Sequence, residues 1–64
     1  MYQVRTKKYE SRRWIVVSEH DTLKEAARAS IKLDYSFRKD IDRQWDAIDV
    51  KCPDGTRIKV AGPY

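Results

Sequence analysis

The chain has 64 residues, of which 38% are charged and 41% hydrophobic, and its formal net charge at pH 7 is +4. This length predicts one domain with a modest core, since so short a chain buries only about 60% of the surface it exposes when unfolded. The longest apolar run, residues 14–17, excludes a membrane-spanning helix, which needs roughly 20 apolar residues. Periodic apolar residues also distinguish the chain from a disordered one.

Cysteine content and the N-terminal segment bear on the compartment. Cys52 is the only cysteine and therefore has no partner for an internal disulfide. The first residues alternate polar and apolar side chains, without the apolar segment of a signal peptide. Both features predict an intracellular, cytoplasmic protein. We expect one compact domain over residues 1–64, with residues 61–64 as a loose tail.

The N-terminal segment has the pattern of an antiparallel β-hairpin. Over residues 2–7, Tyr2, Val4 and Thr6 alternate with Gln3, Arg5 and Lys7, with the period of two that a half-buried strand requires. A polar turn over residues 8–11 leads to a second strand over residues 12–18, which is rich in β-branched side chains. Because residues 14–17 are apolar on both faces, we expect the second strand to be central in the sheet.

A helix is predicted from residue 23 to about residue 33. Thr22 and Glu25 have the spacing of a capping box, in which each side chain hydrogen-bonds to an unpaired backbone N–H at the helix start. The side expected to face the sheet carries Leu23, Ala26, Ala27, Ser30 and Ile31. Residues 34–44 leave two alternatives, an irregular extension of the helix or a long loop anchored by Tyr35, Phe37 and Ile41.

A second hairpin is predicted at the C-terminal end. Apolar and charged side chains alternate over residues 45–52 and again over residues 57–60, and Pro53-Asp54-Gly55 between them is a strong turn signal. The fold class is therefore α+β, a single ββαββ domain with one helix on a mainly antiparallel four-stranded sheet. The expected core consists of Val4, Ile15 or Val17, Leu23, Ala27, Ile31, Ile48, Val50, Ile58 and Val60.

The residue content argues against an enzyme. His20 is the only histidine, which leaves little for a zinc site or for histidine-assisted nucleophilic catalysis. The sequence contains no Cys-x-x-Cys pair and no glycine-rich phosphate loop. Aspartates of the 40–49 region alternate with lysine and arginine, as on a solvated and charge-balanced surface. We expect no catalytic residues, no metal and no cofactor.

Positive charge is concentrated at the N-terminus. Residues 1–14 carry net +4, and the other fifty residues sum to zero with nine basic and nine acidic side chains. A local basic patch with aromatic residues is typical of a surface that binds nucleic acid, although edge strands also carry Lys and Arg to prevent aggregation. In the strand, Arg5 and Lys7 should point away from the helix face. The predicted nucleic-acid-binding residues are Arg5, Lys7, Lys8, Tyr9, Arg12 and Arg13.

The alternative function is a protein-interaction module or inhibitor, for example a phage or mobile-element protein that binds a host factor. An acidic protein surface would attract the basic hairpin as DNA or RNA would. Aromatic rings beside basic residues are also enriched at protein interfaces, and this pattern predicts a contact site at Tyr35, Phe37, Arg38 and Lys39. A homodimer through the uncovered sheet face or an edge strand would complete the thin core.

Overall fold

A computed structural model describes residues 1–62 of the chain and shows five regular elements. Strands β1 (Tyr2–Lys7) and β2 (Ile15–His20) precede helix α1 (Leu23–Arg38), and strands β3 (Ala47–Lys51) and β4 (Arg57–Ala61) follow it. The strands form one sheet in which every neighbouring pair is antiparallel. The predicted ββαββ arrangement, with one helix on a four-stranded antiparallel sheet, is confirmed.

The strand order is β2-β1-β3-β4, which places β1 and β3 in the centre. The prediction that residues 14–17 belong to a central strand is therefore wrong. Strand β2 begins only at Ile15 and lies at an edge of the sheet, where Val16 and Val17 are exposed. Strand β2 thus has apolar side chains on both faces although it is an exposed edge strand, and neither face is fully buried. A register shift opposite Val4 and Arg5 adds one extra residue to β2.

The helix begins where the capping box predicts. Thr22 has an extended backbone, and its Oγ1 accepts a hydrogen bond from the backbone N–H of Glu25 at 3.2 Å. The carbonyl of Thr22 accepts the first helical bond, from Ala26 N–H at 3.1 Å. The side-chain contact satisfies a backbone N–H donor that a helix start otherwise leaves to water.

Replacing Thr22 with alanine is expected to lower the free energy of unfolding by about 1 kcal/mol, because the Glu25 N–H loses its side-chain acceptor. Urea denaturation of wild type, Thr22→Ala and Thr22→Ser measures this effect. The serine variant keeps a hydroxyl and should stay close to wild type. An alanine variant as stable as wild type would show that the cap does not stabilise the helix.

Residues 34–44 divide between the two alternatives that the sequence allowed. The helix continues to Arg38, and Lys39 forms its C-cap. Two tight turns follow, closed by hydrogen bonds from Arg43 N–H to the Asp40 carbonyl and from Asp46 N–H to the Arg43 carbonyl, each at 3.0 Å. The connection to β3 is therefore short and ordered by its own hydrogen bonds.

The core lies between α1 and the two central strands. Its buried apolar residues are Val4, Ala26, Phe37, Ile48 and Val50, and Leu33 and Val60 pack against them in part. On the helix, Ala26, Ser30, Leu33 and Phe37 have the i, i+4, i+7, i+11 spacing of one stripe. Phe37, in the C-terminal turns beyond the predicted helix end, adds the largest side chain to this stripe.

Several residues predicted for the core are exposed. Leu23 and Ile31 are 41% and 63% exposed, because the packed stripe is rotated away from the side that a helix ending at residue 33 would bury. Ile58 faces the helix side of the sheet opposite Val50, yet it lies on the edge strand β4, where α1 covers less. The other wrong assignments are Ile15 and Val17, on the β2 edge.

The C-terminal hairpin turns where Pro53-Asp54-Gly55 predicts. Cys52 N–H donates to the Thr56 carbonyl at 2.7 Å, and Gly55 adopts φ +92°, a conformation that favours glycine. The backbone N–H of Thr56 donates to Asp54 Oδ1 at 2.9 Å, and this hydrogen bond lowers the pKa of the Asp54 carboxyl. Strand β4 includes Ala61, so the predicted tail begins too early; its residues 63 and 64 lie outside the described residues.

Candidate functional site

The sheet face away from the helix is built around a buried ion pair. Arg5 and Asp49 are cross-strand neighbours in β1 and β3. Arg5 Nε donates to Asp49 Oδ1 at 2.9 Å, and Nη2 donates to Oδ2, so the guanidinium and the carboxylate form a two-point contact. The side chains are only 10% and 6% exposed. Arg5 does point away from the helix, as its position in the strand predicts, but it is not part of an exposed basic strip.

Trp14 covers this ion pair. The centroid of its indole lies 4.8 Å from Arg5 Cζ and 5.3 Å from Lys7 Nζ, within the range of cation–π contact. Trp14 is half-buried, so part of the ring stays at the surface. Trp14 lies on the face of the sheet opposite the helix, because it precedes β2 and folds back over Arg5 of β1.

Four further cations share this face, and we call Lys7, Lys51, Arg57 and Lys59 the basic face. The strand register sets their places, since cross-strand neighbours point to the same side. Lys51 lies opposite Gln3 and Arg57, and Lys59 lies opposite Asp49. Lys51, Arg57 and Lys59 are exposed, and Lys7 is half-buried.

The basic face has a clear excess of positive charge. Among the described residues that the register places on this side, the carboxylates are Asp49 and Glu19. Asp49 is compensated by Arg5, so four cations stand against Glu19, a net charge of +3. Trp14, Asp49, Arg57 and Lys59 line a depression of about 210 Å³. This is smaller than the roughly 300–1,000 Å³ of typical small-molecule pockets, and the feature is better suited to an extended ligand.

The turn of the first hairpin presents the other predicted binding residues. Lys8, Tyr9, Arg12 and Arg13 are all exposed. The backbone of the turn is held in place, because Tyr9 N–H donates to Asp46 Oδ1 at 3.2 Å and Ser11 N–H donates to the Lys8 carbonyl at 2.9 Å. Arg12 and Arg13 precede β2, so they lie in the connection and not in the strand.

A second depression, next to the turn, has a different character. It is lined by the turn residues 8–10 and by the segment that follows α1, with the carboxylates Glu10, Asp40, Asp42 and Asp46 against the cations Lys8 and Arg43. Asp46 is buried there, unlike the solvated acid that the sequence suggested. Within residues 1–62, no group of three or more His, Cys, Asp or Glu side chains is arranged to hold a metal ion.

The residues of the alternative protein-contact site separate in the structure. Phe37 is buried in the core, and the Arg43 guanidinium carbon lies 5.3 Å from its ring centroid. Tyr35 is exposed on the outer side of α1, with Lys39 Nζ 4.2 Å from its ring centroid. Arg38 forms an ion pair with Asp34 at 3.1 Å. Tyr35, Arg38 and Lys39 therefore remain at the surface, and Phe37 does not.

The sequence interpretation did not include Trp14, Lys51, Arg57 and Lys59 in a binding surface. A signal for three of them was present, because Asp49 and Lys51 alternate with Ile48 and Val50, and Arg57 and Lys59 alternate with Ile58 and Val60. The net charge of this part of the sequence did not reveal Lys51, Arg57 and Lys59 as a basic surface, since aspartates close to them in the sequence balance their charge. In the folded domain, the ion pair removes Asp49 from that balance.

Comparison with known proteins does not assign this chain to a class. No family model, curated protein or solved structure matches it. No helix among residues 1–62 is long and apolar enough to cross a membrane.

Proposed function

We propose that this protein is a non-enzymatic nucleic-acid-binding domain that contacts phosphates through the basic face and the first hairpin turn. The observation that carries the proposal is the net charge of +3 on a sheet face whose centre is occupied by Trp14. A sheet that combines cations with an aromatic ring is a common platform for nucleic acids, because the cations follow the backbone and the ring stacks on bases.

The ion pair supports this function through electrostatics. An uncompensated Asp49 carboxylate in the middle of the face would repel phosphate oxygens. Its two-point contact with Arg5 removes that repulsion and leaves the exposed cations Lys51, Arg57 and Lys59 to set the local potential.

The hairpin turn extends the proposed contact surface. Its cations are exposed, and they lie at the end of the sheet where β1 and β2 connect, with Arg13 adjacent in sequence to Trp14. Lys8, Arg12 and Arg13 add three cations to the four of the basic face, and Tyr9 adds an exposed ring. The revised contact set omits Arg5, whose guanidinium is already engaged, and includes the C-terminal hairpin. A lone thiol at Cys52 suits the reducing cytoplasm, which we propose as the compartment.

Titration of the wild-type protein against generic single- and double-stranded oligonucleotides at several salt concentrations tests the proposal. We expect binding whose log K falls linearly with log salt. If each of the seven cations neutralises one phosphate, the slope of log K against log salt on duplex reaches at most about −6, because each neutralised phosphate contributes roughly −0.9. Absence of binding to either form at low salt would contradict the proposal.

Stacking on Trp14 has its own test. Replacing Trp14 with leucine is expected to weaken binding to single strands by about 1–3 kcal/mol, or roughly 5- to 150-fold, because one base loses its stacking partner. Trp45→Leu is the control, since Trp45 is 57% exposed and is not among the residues that line the depression of the basic face. Equal losses in the two variants, with both folded, would show that Trp14 is not a specific contact.

The second candidate function is a protein-interaction module or inhibitor. It is supported by Ile31 and Tyr35, which lie four residues apart on α1 and are both largely exposed. Exposed apolar and aromatic side chains on one side of a helix are typical of a protein contact. If the protein does not bind oligonucleotides at low salt, that result would favour this function, with an acidic protein surface as the partner of the basic face.

A further inference from the structure

The two edges of the sheet differ in how they are protected. Strand β4 carries Arg57 and Lys59, and charged side chains of this kind keep an edge from pairing with another chain. Strand β2 contains no Lys, Arg or Pro, and its residues Ile15, Val16 and Val17 are 51%, 46% and 48% exposed. The protective features of this edge are its extra residue, which shifts the register toward β1, and the exposed carboxylate of Glu19.

Charge along the β2 edge is polarised. Arg12 and Arg13 precede the strand, separated from it by Trp14, whereas Glu19 lies near its end and Asp21 just after it, and all four charged side chains are exposed. An antiparallel copy of the same edge would bring the basic end of one strand beside the acidic end of the other, at two symmetric places. A parallel copy would place like charges together. This complementarity favours a second copy of this chain as the occupant.

We propose that β2 pairs with β2 of a second copy in antiparallel orientation, which joins two domains into one eight-stranded sheet. The pairing satisfies the unpaired backbone groups of both edges and brings the exposed valines and isoleucines of the two copies together. A twofold axis that relates antiparallel edge strands is perpendicular to the sheet. Both helices then lie on one side, and both basic faces lie side by side on the other.

Sedimentation velocity over roughly 1 µM to 1 mM protein tests the pairing, a range suited to an edge that buries less than a standard interface. We expect wild type to associate into a dimer in this range. Val17→Lys should weaken the dimer at least tenfold, because it introduces a cation into an edge strand that carries no Lys or Arg. Ile58→Lys is the matched control on the opposite edge, where the side chain is 40% exposed, and it should leave the dimer unchanged.

A charge exchange tests the orientation. Residues 13 and 19 are six positions apart, or about 20 Å along an extended strand, which exceeds the screening length of about 8 Å at physiological salt. Any coupling between them therefore arises between two copies. Arg13→Glu and Glu19→Arg should each weaken the dimer about fivefold, and the double variant should restore it.

Three outcomes would overturn the proposal. A monomer at every concentration would exclude self-association. A dimer that Ile58→Lys disrupts and Val17→Lys does not would place the contact at β4. Additive losses in the double charge variant would exclude the antiparallel arrangement. Circular dichroism and urea denaturation of each variant establish that it is folded, and none of these outcomes depends on nucleic-acid binding.

Discussion

Replacing Asp49 with alanine is expected to lower the free energy of unfolding by about 3–5 kcal/mol, the usual cost of removing one partner from a buried ion pair. The guanidinium of Arg5 would remain beneath Trp14 without its carboxylate, with only 10% of its side chain exposed. A domain of 64 residues has a total stability of roughly 3–10 kcal/mol. The loss is about a third or more of that stability, so the variant should unfold at a much lower urea concentration than wild type at 25 °C.

The matched variants separate the ion pair from simple loss of charge. Asp42→Ala removes an exposed carboxylate and should change stability by no more than about 0.5 kcal/mol. The double variant Arg5→Leu, Asp49→Leu replaces both charges with apolar groups and should be more stable than Asp49→Ala, because no buried charge remains. The single variants Arg5→Leu and Asp49→Leu complete the comparison. A double variant whose loss of unfolding free energy equals the sum of the losses in these two single variants would contradict this account of the pair.

Local signals predicted most of the elements correctly. Alternation with a period of two located β1, β3 and β4, and the Thr22 and Glu25 spacing located the start of the helix. These patterns are properties of neighbouring residues, so they can be recognised without the rest of the fold. The order of the strands depends on pairing between residues far apart in sequence, and no local pattern determines it.

The errors in the core have the same origin. Residues 14–17 are apolar on both sides, and a central strand is one explanation of that pattern. An exposed edge is another, and only the pairing of β1 with β3 decides between them. The helix face was misjudged because the predicted side omitted Leu33, which packs on the core, and Phe37, which lies beyond the predicted helix end.

The candidate site could be predicted only in part. The exposed turn cations Lys8, Arg12 and Arg13 follow from a local concentration of charge. The burial of Arg5 does not, because its partner Asp49 is 44 residues away in the chain. The basic face combines β1 with the C-terminal hairpin, so its charge becomes visible only once the register of three strands is known.

Removing three cations from the basic face is expected to have the largest effect on binding. In the variant Lys51→Ala, Arg57→Ala, Lys59→Ala, the slope of log K against log salt on duplex should become shallower by about 2.7, since each phosphate contact contributes roughly 0.9. If the contribution that does not depend on salt is unchanged, affinity at 0.1 M salt falls about 500-fold. The three side chains are exposed, so the fold should be retained.

The helix provides a control with the same change in charge. Lys24, Arg28 and Lys32 are exposed on α1, which covers the opposite side of the sheet. Replacing all three with alanine also lowers the formal net charge from +4 to +1. Long-range attraction weakens to a similar degree in both triple variants, whereas direct phosphate contacts are lost only from the basic face.

The measurement that tests the central claim most directly is the salt dependence of duplex binding for wild type and the two triple variants. The account predicts a slope that becomes shallower by about 2.7 in the basic-face variant and changes by less than about 1 in the helix variant. Equal changes in the two variants would show that net charge alone drives association. A larger change in the helix variant would place the contact on the opposite side of the molecule.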